Sequence, residues 1–383
     1  MLVAVGIFGG LAYWLHEGMP LPGQTVPSTK GKIAFISNRN GHTDLFLMNG
    51  AAGSEPVAIT NDDAEDSQPA FSPTGKEIAF VSVRRGVVNS IVPQVYVCDA
   101  MAGRKPIPLT NTSSSKSQPV FIDKESVHFI DGGKLTEHNI PAQDDHSVFP
   151  EPDLKRLLAD FVSAGGLQQA VALADGERFA MVMNMERGQL LLLYQHDDSN
   201  PENLVLAVLG AAEHISIAPA GDGGFAAAFS GGSPLQQAIP ILTPELLKRY
   251  NETGLTPPAP NVPLDESTNV IGLFSDEGMP GEVIPIPFAP EEISASPDGK
   301  NLLVALGEEA AQPGLVLFST EAKKAEQLSA LPARSASFSP DGAQIVFVSG
   351  NDIYLLPATG GEATNLTQGK GVNTHPVWSP AKE

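Results

Sequence analysis

Basic residues are scarce in this sequence of 383 residues. Lysine and arginine together number 23, against 44 aspartate and glutamate residues, so the formal net charge is −21. Nucleic acids and anionic lipid head groups both select basic surfaces. The charge therefore argues against a nucleic-acid partner, and equally against adhesion to an anionic membrane surface.

Cysteine and charged residues are both scarce in this sequence. Cys98 is the only cysteine, so no disulfide can form within the chain, and this residue gives no indication of the redox compartment. Charged residues make up 17% of the sequence and hydrophobic residues 42%. A chain with this balance has enough apolar material for a large core, which excludes a disordered, highly charged tail.

The hydrophobic run at the N-terminus is shorter than the roughly 20 residues that span a bilayer. Residues 2–15, LVAVGIFGGLAYWL, have the length of a signal-peptide core but lack a basic start and a clean A-x-A cleavage site. We predict that 1–16 form a helical membrane anchor, with a cleaved signal peptide or a buried strand as alternatives. The predicted anchor residues are Leu2, Val3, Val5, Ile7, Phe8, Leu11, Tyr13, Trp14 and Leu15.

Residues 17–30 are predicted to be a tether, because they hold three prolines and two glycines and no regular hydrophobic pattern. An anchor followed by a tether places the rest of the chain outside the cytoplasm, in the periplasm or an equivalent space. Secretion after signal cleavage is the alternative localisation.

Glycine and proline are plentiful, at 37 and 33 residues, and they mark an internal repeat. A Ser-Pro-Thr-Gly or Ser-Pro-Asp-Gly tetrapeptide occurs at 72–75, 296–299 and 339–342. Each one follows a short apolar alternation and precedes a β-rich run such as QIVFVS at 344–349. Ser, Pro, Asp and Gly in this order suit a type I turn whose last residue is left-handed, so each tetrapeptide predicts a hairpin.

Each repeat continues into two further predicted strands. DLFLMN at 44–49, QVYVCD at 94–99 and DIYLLP at 352–357 are followed by a glycine-containing turn and a short segment that ends in Ile-Thr or Leu-Thr. Four short strands repeating at about 40–50 residues are the signature of a propeller blade. We therefore predict an all-β fold, a single β-propeller that occupies 31–383.

The two ends of the repeat array are complementary. The first repeat begins at 31 with its second strand, and the last segment, 375–380, is a first strand with nothing after it. This arrangement predicts a 3+1 closure, in which the C-terminal strand completes the first blade and removes free sheet edges. We predict seven blades, with six as the alternative.

Two of the seven predicted blades are irregular. The third is expected to lose its outer strand to an acidic, partly helical segment at 153–161. The fifth is interrupted by a Pro-rich insertion at about 233–268, with a short helix at 244–250.

Because a stiff, extended Pro-rich loop can bind a partner at low entropic cost, we predict partner contacts in this insertion, with an idle surface loop as the alternative. The predicted contact residues are Pro257, Pro258, Pro260, Asn261 and Pro263.

The repeat P-x-[FW]-S-P-x-G, followed by an IAFVS-like strand, D-I-Y-L and G-G-E-x-x-N-L-T, resembles the WD40-like PD40 repeats of the TolB-type β-propeller. The best matches are 31–60, 69–110 and 333–380, and the resemblance covers about half of the chain. It implies a periplasmic propeller of the bacterial cell envelope that binds other proteins. The protein that gives the family its name has an α/β domain before its propeller. This sequence shows no counterpart of that domain, so we apply the resemblance to the propeller only.

No motif of a known catalytic type accompanies the repeats. The sequence has no G-x-S-x-G, Walker A or C-x-x-C motif, and its eight histidines lack H-x-x-x-H spacing. A propeller can nevertheless take one metal ligand from each blade. His214 and His375 start first strands close to the predicted channel and are the pair to examine, with solvated or hydrogen-bonded loop histidines as the alternative.

The loop at 62–66, Asp-Asp-Ala-Glu-Asp, carries four carboxylates in five residues. It could bind Ca²⁺, but it lacks the alternating D-x-D-x-D-G arrangement, so a solvated acidic loop is the alternative reading. We therefore assign no catalytic, cofactor-binding or metal-binding residue from the sequence, and leave a Ca²⁺ ion open.

These observations predict a membrane-tethered, extracytoplasmic, TolB-like propeller. Its expected role is that of a protein-binding platform, or of an accessory subunit of a membrane or envelope complex, without catalysis of its own. The acidity favours a partner with a basic face. The alternative is a propeller enzyme, a metal-dependent sugar lyase or lactonase, which would need three or more His, Asp, Asn or Glu side chains converging at one channel mouth.

Overall fold

The computed structural model describes residues 31–84, 92–150, 158, 166–173, 177–195, 205–220, 223–257, 262 and 264–380. The predicted anchor with its helix, 1–16, and the tether, 17–30, lie outside the described residues. Within the described part of the chain, no helix has the length and apolar character needed to span a membrane.

Seven antiparallel sheets form the fold, and each is one blade of a β-propeller. Each blade contacts the next, and blade 7 contacts blade 1 through their first strands, so the ring is closed. The predicted all-β propeller with seven blades is confirmed.

The strands of blades 1 to 3, from the channel outwards, pair in the following order. Blade 1 contains β29 (Asn373–Trp378), β1 (Lys32–Ser37), β2 (Asp44–Asn49) and β3 (Val57–Ala58). Blade 2 contains β4 (Glu65–Phe71), β5 (Glu77–Val83), β6 (Gln94–Asp99) and β7 (Ile107–Pro108). Blade 3 contains β8 (Lys116–Phe121), β9 (Ser126–Asp131), β10 (Lys134–Asn139) and β11 (Asp144–Phe149).

Blades 4 to 7 follow the same plan, with one extra strand in blade 4. Blade 4 contains β12 (Leu167–Ala172), β13 (Arg178–Asn184), β14 (Gln189–Gln195), β15 (Val205–Ala212) and β18 (Ser233–Leu242). Blade 5 contains β16 (His214–Pro219), β17 (Phe225–Ser230), β19 (Asn269–Phe274) and β20 (Pro280–Pro285). Blade 6 contains β21 (Glu292–Ala295), β22 (Asn301–Leu306), β23 (Gly314–Ser319) and β24 (Lys324–Ser329). Blade 7 contains β25 (Arg334–Phe338), β26 (Gln344–Ser349), β27 (Asp352–Pro357) and β28 (Thr364–Asn365).

The middle strands are apolar on both faces because each blade is covered by two neighbours. On β1, Ile33 and Phe35 pack against blade 7, whereas Ala34 and Ile36 pack against blade 2. Successive side chains of a strand point to opposite faces, so one strand supplies two separate cores. Burying each large apolar side chain contributes about 1.5–3 kcal/mol.

The predicted 3+1 closure is confirmed. β29 pairs antiparallel with β1, which places Trp378 opposite Ile33 and Asn373 opposite Ser37. The backbone N–H of Ser379 donates to the carbonyl of Lys32 at 2.8 Å. The first blade is therefore built from both ends of the repeat array.

The Ser-Pro-Asp-Gly segments form the predicted hairpin turns. In blade 7, the Ser339 hydroxyl donates to Asp341 Oδ1 at 2.6 Å and accepts the N–H of Gln344 at 2.9 Å. Gly342 donates its N–H to the Ser339 carbonyl and has a φ of +70°, the left-handed value that the turn requires. The same bonds recur around Ser296 in blade 6.

Blade 3 keeps its outer strand, so the prediction that this strand is lost to 153–161 was wrong. β11 begins Asp-Asp-His and lacks the apolar alternation that marks a strand in sequence. Cross-strand polar pairs align it with β10 instead, such as His138 Nδ1 and Asp145 Oδ1 at 2.7 Å. Of the segment 153–161, only Leu158 is described, and it is buried in the core cluster shared by blades 3 and 4.

The insertion in blade 5 returns to the blade before it. β18 adds a fifth, outermost strand to blade 4 by pairing with β15. The helix α1 (Pro244–Thr253) follows, with Thr243 as its N-cap, and confirms the helix predicted at 244–250. Leu247, Tyr250 and Leu264 pack on the core of blades 3 and 4, so part of the insertion covers its own domain.

Candidate functional site

The first strands of the blades line a central channel with two unlike mouths. We call the end where these strands begin the start mouth, and the end where they lead into the Ser-Pro-x-Gly turns the turn mouth. Each mouth contains a cavity, of about 530 Å³ at the start mouth and about 920 Å³ at the turn mouth. Both volumes lie in the range of 300–1,000 Å³ that small-molecule sites occupy.

The turn mouth is mainly apolar. Its walls are formed by branched residues of β8, β12, β16 and β21 together with small alanines and the turn at 296–299. Val120 and Ile122 lie on this surface with 51% and 43% of their area exposed. Apolar and small side chains predominate, and the polar lining is limited to Gln118, His128, Gln169, Ser294, Ser296 and Asp298.

Hydrogen bonds between side chains and backbone connect the inner strands from blade 2 to blade 7. Five junctions carry such a bond, so this inner ring fixes each first strand against its neighbour. In blade order the bonds are Gln118 N to Gln68 Oε1 (2.8 Å), Gln118 Nε2 to Gln168 O (2.5 Å), Gln169 Nε2 to Ile217 O (2.8 Å), Ile293 N to Ser216 Oγ (3.0 Å) and Ser335 N to Glu292 Oε2 (2.7 Å).

A β-bulge recurs on four of these strands and re-aims one side chain toward the channel. Gln68, Gln118, Ser335 and His375 all lie at the bulge and have φ values of +49° to +51°. These are unusual values for residues other than glycine, and such bulges often direct a side chain to a functional position. Three of the four positions share a Ser-Gln-Pro or Thr-His-Pro tripeptide, at 67–69, 117–119 and 374–376, whereas Ser335 lies in Arg-Ser-Ala.

The start mouth is charged. Its cavity is lined by side chains from four blades: His214, Glu291, Glu292, Val348, Arg334, Ser335, Thr374 and His375. His214 and His375, the pair selected from the sequence, therefore line the same cavity. His214 Nε2 lies 2.6 Å from the carbonyl oxygen of Glu291, and Arg334 donates to the carbonyl of Gly350 at 3.1 Å.

The electrostatics of the start mouth differ from one wall to the other. Glu292 is exposed within the mouth, but desolvation by the surrounding protein raises its pKa, and the neighbouring charge of Glu291 adds to this effect. Burial also lowers the pKa of His375, and the positive charge of Arg334 acts in the same direction. The Nδ1 atom of His375 is buried and has no hydrogen-bond partner.

The acidic loop at 62–66 is tied into the junction of blades 1 and 2. Asp66 is fully buried and accepts hydroxyl bonds from Ser82 at 2.6 Å and from Thr60 at 2.7 Å. Arg84 pairs with Asp62 and lies 3.4 Å from Asp66. No group of three or more His, Cys, Asp or Glu side chains in the described residues is arranged to hold a metal ion. The absence of a cofactor, with a Ca²⁺ ion left open, stays a prediction.

Two arginines at the hairpins of blades 1 and 2 have a structural role that the sequence did not reveal. The guanidinium of Arg39 lies 5.0 Å from the ring centroid of Phe46 and donates to Asn373 Oδ1 at 2.9 Å. Arg84 lies 5.1 Å from the ring of Tyr96 in the same way. Each arginine thus stacks on the third strand of its blade and binds the first, although a turn alone was a sufficient explanation in sequence.

Two histidines converge on one glutamate in blade 3, which irregular spacing along the chain concealed. His128, Glu137 and His146 are direct neighbours on β9, β10 and β11. The Nε2 atoms of the two histidines lie 3.0 and 3.5 Å from the same oxygen of Glu137. The hydrogen bond from His128 is the main reason that the pKa of Glu137 is lowered to about 2. Only the strand pairing could have identified this cluster.

The predicted partner-binding residues of the insertion are largely beyond what the structure describes. Pro257 is buried. Pro258, Pro260, Asn261 and Pro263 lie outside the described residues, and their partner contacts stay a prediction.

Comparison with protein families gives one match. The model described as the dipeptidyl peptidase IV N-terminal region matches residues 296–378, which include most of blades 6 and 7 and β29. This is less than half of the chain. A search of curated proteins gives no match.

Several solved structures share the fold at low sequence identity. A candidate 6-phosphogluconolactonase from Bacteroides fragilis is 13% identical, with a TM-score of 0.52 over 93% of this chain and 97% of that one. The WD40 β-propeller domain of Doa1 is 11% identical, with a TM-score of 0.52 over 86% and 89%. TolB from Acinetobacter baumannii is 14% identical, with a TM-score of 0.48 over 92% and 67%. At these identities the two structures with a TM-score of 0.52 show the β-propeller fold and nothing beyond it.

Proposed function

We propose that this chain is a protein-binding propeller of the cell envelope, an accessory subunit of a membrane complex. The main support for this proposal is the turn mouth, where the half-exposed Val120 and Ile122 lie at the rim of a cavity of about 920 Å³. Exposed apolar surface around a concave centre is typical of protein interaction sites. A rigid ring joined by inner hydrogen bonds would present this surface with little loss of entropy on binding.

The net charge of the chain indicates which kind of partner surface would bind. A net charge of −21 around an apolar mouth favours a partner whose apolar contact is surrounded by basic residues. In this proposal, residues 1–16 attach the propeller to the membrane and 17–30 give it reach, so the propeller works outside the cytoplasm. The Pro-rich residues 257–263 would provide a second contact with the same complex.

Purification of the full chain from its native membranes in mild detergent tests this proposal. Mass spectrometry should find a stoichiometric set of membrane or periplasmic proteins with the wild-type chain. The variant Val120→Asp should lose them, whereas the matched control Ile107→Asp, at a 60% exposed apolar position on the outer strand of blade 2, should keep them. Recovery of the wild-type chain alone and in the soluble fraction would contradict the proposal and favour a cleaved signal peptide.

The second candidate function is a channel-site enzyme, such as a metal-dependent sugar lyase or lactonase. The observation in its favour is the start mouth, where two histidines and two glutamates line one cavity. Metal analysis of the purified chain, with assays of lactone hydrolysis and sugar elimination, tests it. Turnover that is lost in His214→Ala and His375→Ala would establish the enzyme and displace the platform role.

A further inference from the structure

We propose that the start mouth binds a small zwitterion, a free α-amino acid or a dipeptide. In this arrangement the ammonium group lies against Glu291 and Glu292, and the carboxylate lies against Arg334 and His375. The inference concerns the opposite end of the channel from the proposed protein contact, so it holds or fails independently of the proposed function.

The first observation concerns the position of His375 on β29, the first strand of blade 1. It occupies the bulge position at which blades 2 and 3 carry Gln68 and Gln118, with the same φ value. The side chains of those glutamines bond to backbone groups of the next blade. His375 instead keeps a buried Nδ1 without a partner. An unpaired buried nitrogen destabilises the fold, and a ligand that bonds to it after a rotation of the imidazole toward the cavity would recover this loss.

The second step is the separation of charge across the cavity. Glu291 and Glu292 begin the first strand of blade 6 and form an acidic wall, close enough that their charges interact. Arg334 begins the first strand of blade 7, close enough that its charge acts on His375, and it supplies the positive charge of the cavity. Both glutamates and Arg334 are exposed to the cavity. A ligand with one charge would meet attraction at one wall and repulsion at the other.

The third observation is the size of the cavity. A cavity of about 530 Å³ is large enough for an amino acid or a dipeptide and lies within the range of small-molecule sites. A ligand with an ammonium at one end and a carboxylate at the other satisfies both walls at once. The carboxylate would accept hydrogen bonds from the Arg334 guanidinium and from His375 when its Nδ1 carries the proton.

Calorimetric titration of the full chain with alanyl-alanine and with a panel of free L-amino acids tests the inference. The same dipeptide with an acetylated N-terminus, and again with an amidated C-terminus, provides the matched probes. We expect the free dipeptide to bind, and each blocked form to bind at least about tenfold more weakly, because each lacks one charge-assisted contact.

Three variants separate the site from the fold. Glu292→Gln keeps an oxygen to accept the Ser335 N–H, and His375→Gln restores the residue found in blades 2 and 3, so both should fold and both should weaken binding about tenfold. Glu326→Gln, exposed on the outer strand of blade 6, should bind as the wild type does. Equal binding of free and blocked dipeptides, equal losses in all three variants, or no binding of any probe would overturn the inference.

Discussion

A single threonine just after the short outer strand bonds to the third strand in three blades. Thr60, Thr110 and Thr367 each accept a backbone N–H from the third strand of their blade, at 2.8, 2.9 and 3.0 Å. Each also donates to a buried or half-buried polar side chain. The repeated Ile-Thr or Leu-Thr was visible in the sequence as a strand, but its bonding partners lie about 15 residues away and are not apparent without the fold.

Replacement of Thr367 by valine tests this bond. The side chain keeps its shape but leaves the Ile353 N–H without its partner and removes one of the three bonds that Asp352 accepts, so we expect a loss of about 1–3 kcal/mol in the free energy of unfolding. Thr364→Val is the matched control at an exposed position of β28 and should change stability by less than about 0.5 kcal/mol. Urea unfolding followed by circular dichroism measures both, and equal effects would contradict the assigned role.

The His128–Glu137–His146 cluster predicts a pH dependence of stability. The pKa of Glu137 is about 2 in the folded chain and 4.5 in its ordinary state. The folded state therefore favours the carboxylate, and its contribution is fully present above pH 4.5 and is lost as the pH falls from 4.5 toward 2.

Glu137→Gln should remove this contribution. We expect the variant to melt a few degrees below the wild type at pH 7, and the difference to shrink as the pH falls below 4. Thermal melts of both proteins between pH 7 and pH 3 measure it. A difference that stays constant over this range would show that Glu137 does not act through its charge.

At the scale of the element, turn chemistry was the most predictable feature and outer strands the least. The tetrapeptides at 296–299 and 339–342 fix their hairpins through bonds within a few residues, so a local pattern was sufficient. β11 and β18 have no such local signal. β11 depends on cross-strand polar pairs, and β18 depends on the free edge of a neighbouring blade, which exists only after that blade has formed.

Gly342 provides a test of the turn at this scale. Its φ is +70°, and the nearest atom to an added Cβ would be Pro297 Cδ at 3.8 Å, so there is space but the backbone is strained for other residues. Gly342→Ala should therefore lower the free energy of unfolding by about 1–2 kcal/mol. Gly342→Asn should lose less, because asparagine tolerates the left-handed region. Similar losses for both, measured by urea unfolding, would point to a clash instead.

At the scale of the whole molecule, the sequence predicted the ring, its seven blades and its closure, because each follows from repeats and from the complementary ends of the array. The two mouths were less accessible to prediction. His214 and His375 could be selected because both begin first strands, but Glu291, Glu292 and Arg334 share no motif with them. Only the curvature of the ring brings these side chains from different blades to one cavity.

Closure by β29 predicts the effect of a truncation. A chain that ends at residue 372 lacks β29, exposes the edge of β1 and uncovers the core between blades 7 and 1. We expect it to aggregate or to form oligomers in size-exclusion chromatography with light scattering. A chain that ends at residue 380 is the control and should behave as the full chain does. A stable monomer without β29 would show that the ring does not need this strand.

The same closure has a consequence for biosynthesis. The ribosome delivers β1 about 340 residues before β29, and at 5–20 residues per second this interval is roughly 20–70 s. During that time the nascent chain carries a blade with one strand missing and an apolar edge open to other chains. The synthesis of β29 thus ends this vulnerable period, and a chaperone that covers strand edges would act on this protein before β29 emerges.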